Sequence, residues 1–272
     1  MKGYKLVACD LDGTLLDDEL RISDDNKAAI KKLCGRGVYF VPATGRALSE
    51  MPEIIQNPDI RYIIYSNGAV IYDKDSGNNT MICMSKAVSN FVLDVIGKYE
   101  CYFVAHQGGE TFAELMSCDE REKYNVSYNV QELVEKYSNM EKGIEKRLRN
   151  MDCVESYSVF FKDEAAKCKC KSELSKDDRL YVVDSWGCNI EVFCAGAGKD
   201  VSLVKLCEIL NIDLQDVITI GDSGNDIAMT RIAGLGLAAE NGCDEIKAAS
   251  DRVICSNNGH VVKFVVDNYF NM

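Results

Sequence analysis

Four aspartates stand where a phosphoryl group could be bound and transferred. Asp10 and Asp12 lie two residues apart in Asp10-Leu11-Asp12-Gly13-Thr14, directly after the apolar run Leu6-Val7-Ala8-Cys9. Asp222 and Asp226 lie in Gly221-Asp222-Ser223-Gly224-Asn225-Asp226, directly after Val217-Ile218-Thr219-Ile220. Two more polar clusters, Ala43-Thr44-Gly45-Arg46 and Ser66-Asn67-Gly68, also follow apolar runs. If those runs are parallel strands, all four clusters meet at one sheet edge, where open α/β sheets bind their ligands. Carboxylates crowded together repel one another. A hard divalent cation resolves that conflict, and carboxylates with backbone oxygens and water suit Mg²⁺.

Phosphoryl transfer needs an in-line nucleophile, charge neutralisation and a proton donor for the leaving oxygen. Asp10, at the strand tip, suits the nucleophile, giving an acyl-phosphate that water hydrolyses. Asp12 reaches beyond the strand and suits the general acid/base, while its backbone carbonyl offers a metal ligand. Thr44 can donate a hydroxyl hydrogen bond, and Lys199, at a helix start, can supply positive charge. A plain turn with solvated acids is the alternative for Asp10 and Asp12. Arg46 reads as either a phosphate contact or a structural pair. Asn67 reads as either the left-handed residue of a turn with Gly68 or a group near the substrate. His106 and His260 lie in no motif. Lys142, Lys146, Arg147 and Arg149 read as a solvated helix face, and Trp186 as packing.

The elements that position these residues follow from the pattern. Ser23 suits an N-cap, with Asp24 and Asp25 in the first helical turn, and Ala28, Ile30 and Leu33 the apolar face. Strands are expected at 38–41, 60–65, 69–72, 190–193, 217–220, 235–238 and 252–255. Helices are expected at 201–210, 227–232 and 245–249, and from His260 onward. Alternating strands and helices predict an α/β fold: a Rossmann-like parallel sheet with helices on both faces. The middle of the chain, more highly charged, reads as an inserted α+β domain. The expected division is a discontinuous core, 1–81 and 189–272, and an insertion, 82–188.

The chain has 272 residues, with 31 Lys and Arg against 43 Asp and Glu, for a formal net charge of −12. Such a surface repels nucleic acid and anionic lipid, so neither is expected as a partner. No apolar run reaches the roughly 20 residues of a membrane span. The N-terminus shows no secretory signal, and 13 scattered cysteines read as reduced thiols of a cytoplasmic protein. Cys168-Lys169-Cys170 lacks the second pair that a zinc site needs. A monomer or weak homo-oligomer acting on a small phosphorylated metabolite is expected.

These motifs resemble the haloacid dehalogenase-like superfamily. Its first motif corresponds to Asp10 to Thr14, its second to Thr44, its third to Lys199 and its fourth to Gly221 to Asp226. Asp-Leu-Asp-Gly-Thr-Leu-Leu, Ala-Thr-Gly-Arg and Ser-Asn-Gly-Ala together look like the Cof-type sugar phosphatases. The resemblance covers nearly all the core, and the insertion matches the family's larger cap type only in size and position. It implies Asp10 as nucleophile and Mg²⁺ ligand, Asp12 as acid/base, and Asp222 as Mg²⁺ ligand. Asp226 would act on the metal through water or another ligand. Thr44, Gly45, Lys199, Asn225 and the Leu11 amide would hold the phosphoryl group. Glu240-Asn241-Gly242 stands where the family commonly has Gly-Asn-Ala, Gly198-Lys199-Asp200 where it often has Ser-Lys-Gly, and Pro42 precedes Ala43. A cap that closes would exclude water and read the leaving group. The implied activity is hydrolysis of small phosphate monoesters. A phosphomutase or phosphotransferase on the same scaffold, or a non-catalytic sensor of phosphorylated metabolites, are the alternatives.

Overall fold

The computed structural model describes residues 3–185 and 187–270. Trp186, read as packing, lies outside the described residues. In chain order the strands are β1 Leu6–Cys9, β2 Tyr39–Pro42, β3 Tyr62–Tyr65, β4 Val70–Asp73, β5 Asn78–Met81, β6 Met84–Ser85, β7 Cys101–Gln107, β8 Glu110–Glu114, β9 Ser138–Glu141, β10 Cys153–Val154, β11 Ser156–Phe161, β12 Leu180–Asp184, β13 Asn189–Cys194, β14 Val217–Gly221, β15 Leu235–Ala238 and β16 Arg252–Val253. The chain forms two compact units. The first is Met1–Gly45, Glu53–Thr80 and Gly198–Met272, and the second is Arg46–Pro52 and Met81–Ala197.

The first unit is built on a parallel five-stranded sheet in the order β16-β15-β14-β1-β2. Every residue of β1 is fully buried. That is why Leu6-Val7-Ala8-Cys9 shows no apolar–polar alternation: both faces of a central parallel strand are covered. From β1 the chain winds to β2 on one side. It later returns to β14, β15 and β16 on the other, so the winding reverses between β1 and β14. Loops leaving two such strands diverge and open a crevice at their carboxyl ends. Asp10 and Asp222 follow those two strands.

The helix Asp24–Cys34 starts at Ser23, whose side chain accepts from the Asn26 amide at 3.2 Å. Its buried face carries Asn26, Ala29, Ile30 and Leu33, so Ala29 is turned inward and Ala28 outward. The segment at 60–65 was expected among the parallel strands. Instead β3 pairs antiparallel with β4, Tyr65 opposite Val70, and a single parallel bridge joins Ala43 to Ile64. The cause lies in the turn: Ser66, Asn67 and Gly68 have φ of 49°, 54° and 88°, which reverses the chain at once.

The second unit holds a six-stranded sheet in the order β12-β13-β11-β7-β8-β9. Its pairs are antiparallel except β8 with β9. Val92, Leu93 and Ile96 of the helix Lys86–Ile96 pack with Tyr157, Val159, Phe161 and Val192 from the sheet. The strand at 190–193 was grouped with the core in the expected division. As β13 it pairs with both β11 and β12 here, and the second unit runs on to Ala197. Residues 46–52 also join this unit. Ser49 N donates to Gly109 O at 2.9 Å, and Thr111 Oγ1 donates to the buried Glu50 carboxylate at 2.8 Å.

Arg147 and Arg149 sit on a short helix, Ile144–Leu148, and its flank, paired with Glu141, Glu145 and Asp94. Such surface pairs contribute little stability. Cys168 is exposed while Cys170 is buried in the core of the second unit, so the two thiols do not face one site. Among the described residues, no helix is long and apolar enough to cross a membrane.

Candidate active site

Asp10 extends the β1 ladder by one bond, its amide donating to Ile220 O at 3.0 Å. Its carboxylate is thereby fixed beside the end of β14, and only 5 % of the residue is exposed. The chain then makes a wide turn, Leu15 N to Asp10 O at 3.2 Å and Leu16 N to Leu11 O at 2.9 Å. Inside it, Asp12 has φ −74° and ψ 125°, and Gly13 has φ 73°. Asp12 is exposed, and Leu11 and Thr14 are buried. A Cβ on Gly13 would stand 2.6 Å from Asp222 Oδ2, so close approach as well as the positive φ requires glycine.

Lys199 opens the helix Lys199–Leu210 and is 2 % exposed. Its Nζ donates to Asp10 Oδ1 at 2.6 Å and to Asp226 Oδ1 at 2.7 Å. The second oxygen of Asp226 accepts the amides of Asp222 and Ser223 at 3.1 and 3.2 Å. Asp226 therefore ties the lysine to the loop after β14, with protein donors on both its oxygens. Asp222 Oδ1 accepts the Thr14 hydroxyl at 2.9 Å.

Among the described residues, Asp10, Asp222 and Asp226 form the one group of three or more potential metal-binding side chains whose ligand atoms all lie within 4.8 Å of one another. All three are buried, and the one ammonium among them bonds Asp10 and Asp226 but not Asp222. Burial pushes the Asp10 carboxyl well above its ordinary range; Lys199 opposes this, and Asp226, Asp222 and Asp12 reinforce it. Burial, then the charge of Asp226, pushes the Asp222 carboxyl up to about 7. Burial alone would lower Lys199, but Asp10 and Asp226 outweigh it and hold the ammonium above its usual value. A buried, oxygen-only set carrying more acid than its lysine can neutralise fits a hard divalent cation.

The Lys199 ammonium is the lynchpin of this balance, so Lys199→Met should destabilise the metal-free protein by about 3–5 kcal/mol. Urea unfolding measures the change, and a shift below 1 kcal/mol would show the carboxylates to be self-sufficient.

A second group of residues in the first unit is linked through Asn67. Thr44 is fully buried, its amide donating to Ile64 O and its carbonyl accepting from the Asn67 amide, both at 3.0 Å. Asn225 Nδ2 donates to Asn67 Oδ1 at 2.9 Å. A Cβ on Gly45 would come within 3.2 Å of Asn67 Oδ1. Asn67 thus takes the left-handed turn expected of it, and its side-chain oxygen accepts from Asn225. Gly68 packs so tightly that a Cβ would stand 2.1 Å from Gly198 O, and its carbonyl accepts from Ser202 Oγ at 2.6 Å. That contact seats the residue before Lys199. Arg46 belongs to the second unit, its Nη1 donating to Glu50 O at 3.3 Å. His106 is buried in the second unit against Ser156 Oγ at 3.1 Å, and His260 meets Ser23 Oγ at 2.9 Å.

Thr14, Ser202 and Asn241 join the site with no role expected of them from sequence. Thr14 carries a signal, since it follows directly on the glycine of the acidic turn. Ser202 and Asn241 bond to backbone carbonyls, of Gly68 and Gly13, which leave no mark in residue type.

Residues 7–265 match the haloacid dehalogenase-like hydrolase family. The 5-amino-6-(5-phospho-D-ribitylamino)uracil phosphatase YcsE of Bacillus subtilis is 32% identical over 93% of this chain and 90% of its own. The phosphatase YwtE of the same organism, which bears the same activity name, is 29% identical over 97% of each chain. A solved haloacid dehalogenase-like hydrolase from B. subtilis superposes with a TM-score of 0.86, covering 97% of this chain and 99% of its own at 24% identity. With its parallel sheet, its acidic crevice and these relatives, the chain belongs to the haloacid dehalogenase-like hydrolases, in their Cof-type branch, and is a phosphoric monoester hydrolase.

Proposed function

We propose that this phosphatase is a cytoplasmic, Mg²⁺-dependent enzyme that cleaves small sugar or sugar-alcohol phosphates through an aspartyl-phosphate on Asp10. The observation that carries the reading is the Lys199 bridge between Asp10 and Asp226 inside the three-carboxylate cluster. In this reading the first unit is the catalytic core and the second is a cap that selects the leaving group.

Asp10 attacks phosphorus, and the ester oxygen leaves with a proton from Asp12. Asp12, now a carboxylate, takes a proton from the water that attacks the aspartyl-phosphate, and inorganic phosphate is released. The Thr44 hydroxyl, the Leu11 and Gly45 amides, the Asn225 side chain and the Lys199 ammonium hold the phosphoryl oxygens. Asp10, Asp222 and the Asp12 carbonyl would hold Mg²⁺, with Asp226 acting through water because its oxygens already serve Lys199 and two amides. Bound Mg²⁺ supplies positive charge against the cluster and the transferring phosphoryl group.

Three relatives bear the name of a phosphatase for a phosphorylated ribitylaminouracil, which puts that ester first in a panel with hexose phosphates, nucleotides, flavin mononucleotide and pyridoxal phosphate. Purified protein with Mg²⁺ should release phosphate from at least one ester, stop on addition of EDTA, and recover when Mg²⁺ is restored. No release from any of them, or activity indifferent to EDTA, overturns the proposal.

A further inference from the structure

We infer that Asn241 is a positioning residue for the reaction, holding the turn that carries Asp12. The inference rests on the reading of Asp12 as general acid. Gly13 is forced on that turn because a side chain there would strike Asp222. Glycine also leaves the turn free to rotate its peptide planes, since no Cβ restricts φ or ψ. The bonds that close the turn use the carbonyls of Asp10 and Leu11. The Gly13 carbonyl instead accepts from Asn241 Nδ2 at 2.7 Å. An amide donor there opposes rotation of the Gly13–Thr14 peptide and so holds the backbone directly after Asp12.

Asn241 is itself held. Its Oδ1 accepts the Asn257 amide at 2.9 Å. Its loop is pinned to the residue opposite Asp10: Cys243 N donates to Asp222 O at 2.9 Å, and a Cβ on Gly242 would stand 2.9 Å from that oxygen. One short loop therefore touches both the acid-bearing turn and Asp222, which Thr14 joins from the other side. Farther along, Asn257 Nδ2 donates to Leu16 O at 3.1 Å and to Asp18 Oδ1 at 3.0 Å. Asn258 Nδ2 donates to Asp18 Oδ2 at 2.9 Å and accepts from the Asp18 amide. Three asparagines thus clasp residues 13–18 along their length, and Asn241 is the one that reaches the turn beside Asp12.

A misplaced general acid slows esters whose leaving group needs a proton more than those whose leaving group does not. A residue that merely stabilises the fold slows both alike. Asn241→Asp keeps the shape and removes the donor; Asn241→Ala removes the whole side chain. Asn241 is exposed, so neither change opens a cavity in the core. Both variants and Asp12→Ala are assayed on an alkyl phosphate and on p-nitrophenyl phosphate, with thermal midpoints recorded. The Asn241 variants should lose about tenfold or more in kcat/KM on the alkyl ester, and less than about threefold on the nitrophenyl ester. Equal losses on both esters, or none, while Asp12→Ala discriminates between them, overturn the role of Asn241. If Asp12→Ala does not discriminate either, the general-acid reading of Asp12 fails and this inference fails with it.

Discussion

Asp10→Asn should lower kcat on the order of 10⁵-fold while the protein remains folded. The carboxamide has nearly the shape of the carboxylate, and its oxygen can still accept from Lys199. What it loses is charge, and with it the ability to attack phosphorus and form an acyl-phosphate. The same loss eases the crowding with Asp222 and Asp226, whose carboxylates lie within 4.8 Å. The metal-free variant should therefore unfold at the same temperature as the parent or higher. Phosphate release and thermal unfolding measure the two halves. Near-normal turnover sinks the mechanism, whereas lost turnover with a collapsed midpoint would make Asp10 a structural residue.

Asp12→Ala should cost about 10²–10⁴-fold on alkyl phosphates and far less on aryl phosphates with acidic leaving groups. Asp12 sits in non-helical backbone at the exposed lip of the turn, two residues beyond the buried nucleophile. That placement suits a group that must reach a leaving oxygen rather than phosphorus. A nitrophenolate leaves without a proton, so attack by Asp10 proceeds with little help. A sugar alkoxide does not, and its departure stalls. Rates across a series of leaving groups should fall more steeply with leaving-group basicity in the variant than in the parent. An unchanged slope assigns the proton transfer to another group.

Much of this site was legible because short, mostly apolar runs end at acids. Leu6 to Cys9 stops at Asp10, and Val217 to Ile220 runs to Asp222, so strand ends and carboxylates were marked by the same letters. Lys199 was legible only as a lysine at a helix start; its bridge between Asp10 and Asp226 was not. Pairing partners were harder to read. Asn189–Cys194 carries the same apolar pattern in either kind of sheet, and only the neighbours β11 and β12 decide which sheet it enters. Residues 46–52 joined the second unit through Ser49 and Glu50, in a single 3₁₀ turn too short to carry a period that would reveal burial. Asn67 was ambiguous in sequence because one asparagine can set a turn and present its amide; here it sets the turn and its oxygen meets Asn225.

The order of strands in the first unit also bears on how the chain reaches this state. β1, at the heart of the sheet, pairs Leu6 with Val217, so one of its two ladders joins positions more than two hundred residues apart. Closing so long a loop is entropically unfavourable, although the cost grows only slowly with length. The second unit, by contrast, draws nearly all its strands from the continuous stretch Met81–Ala197. During synthesis that stretch is complete before β14 has emerged, and it can collapse on its own hydrophobic core while β1 and β2 wait for their partner. Once folded, those residues no longer add to the disordered chain that must close between the two parts of the sheet. The insertion is then an internal scaffold for maturation, and mutations that weaken its core would delay assembly of the parallel sheet of the first unit.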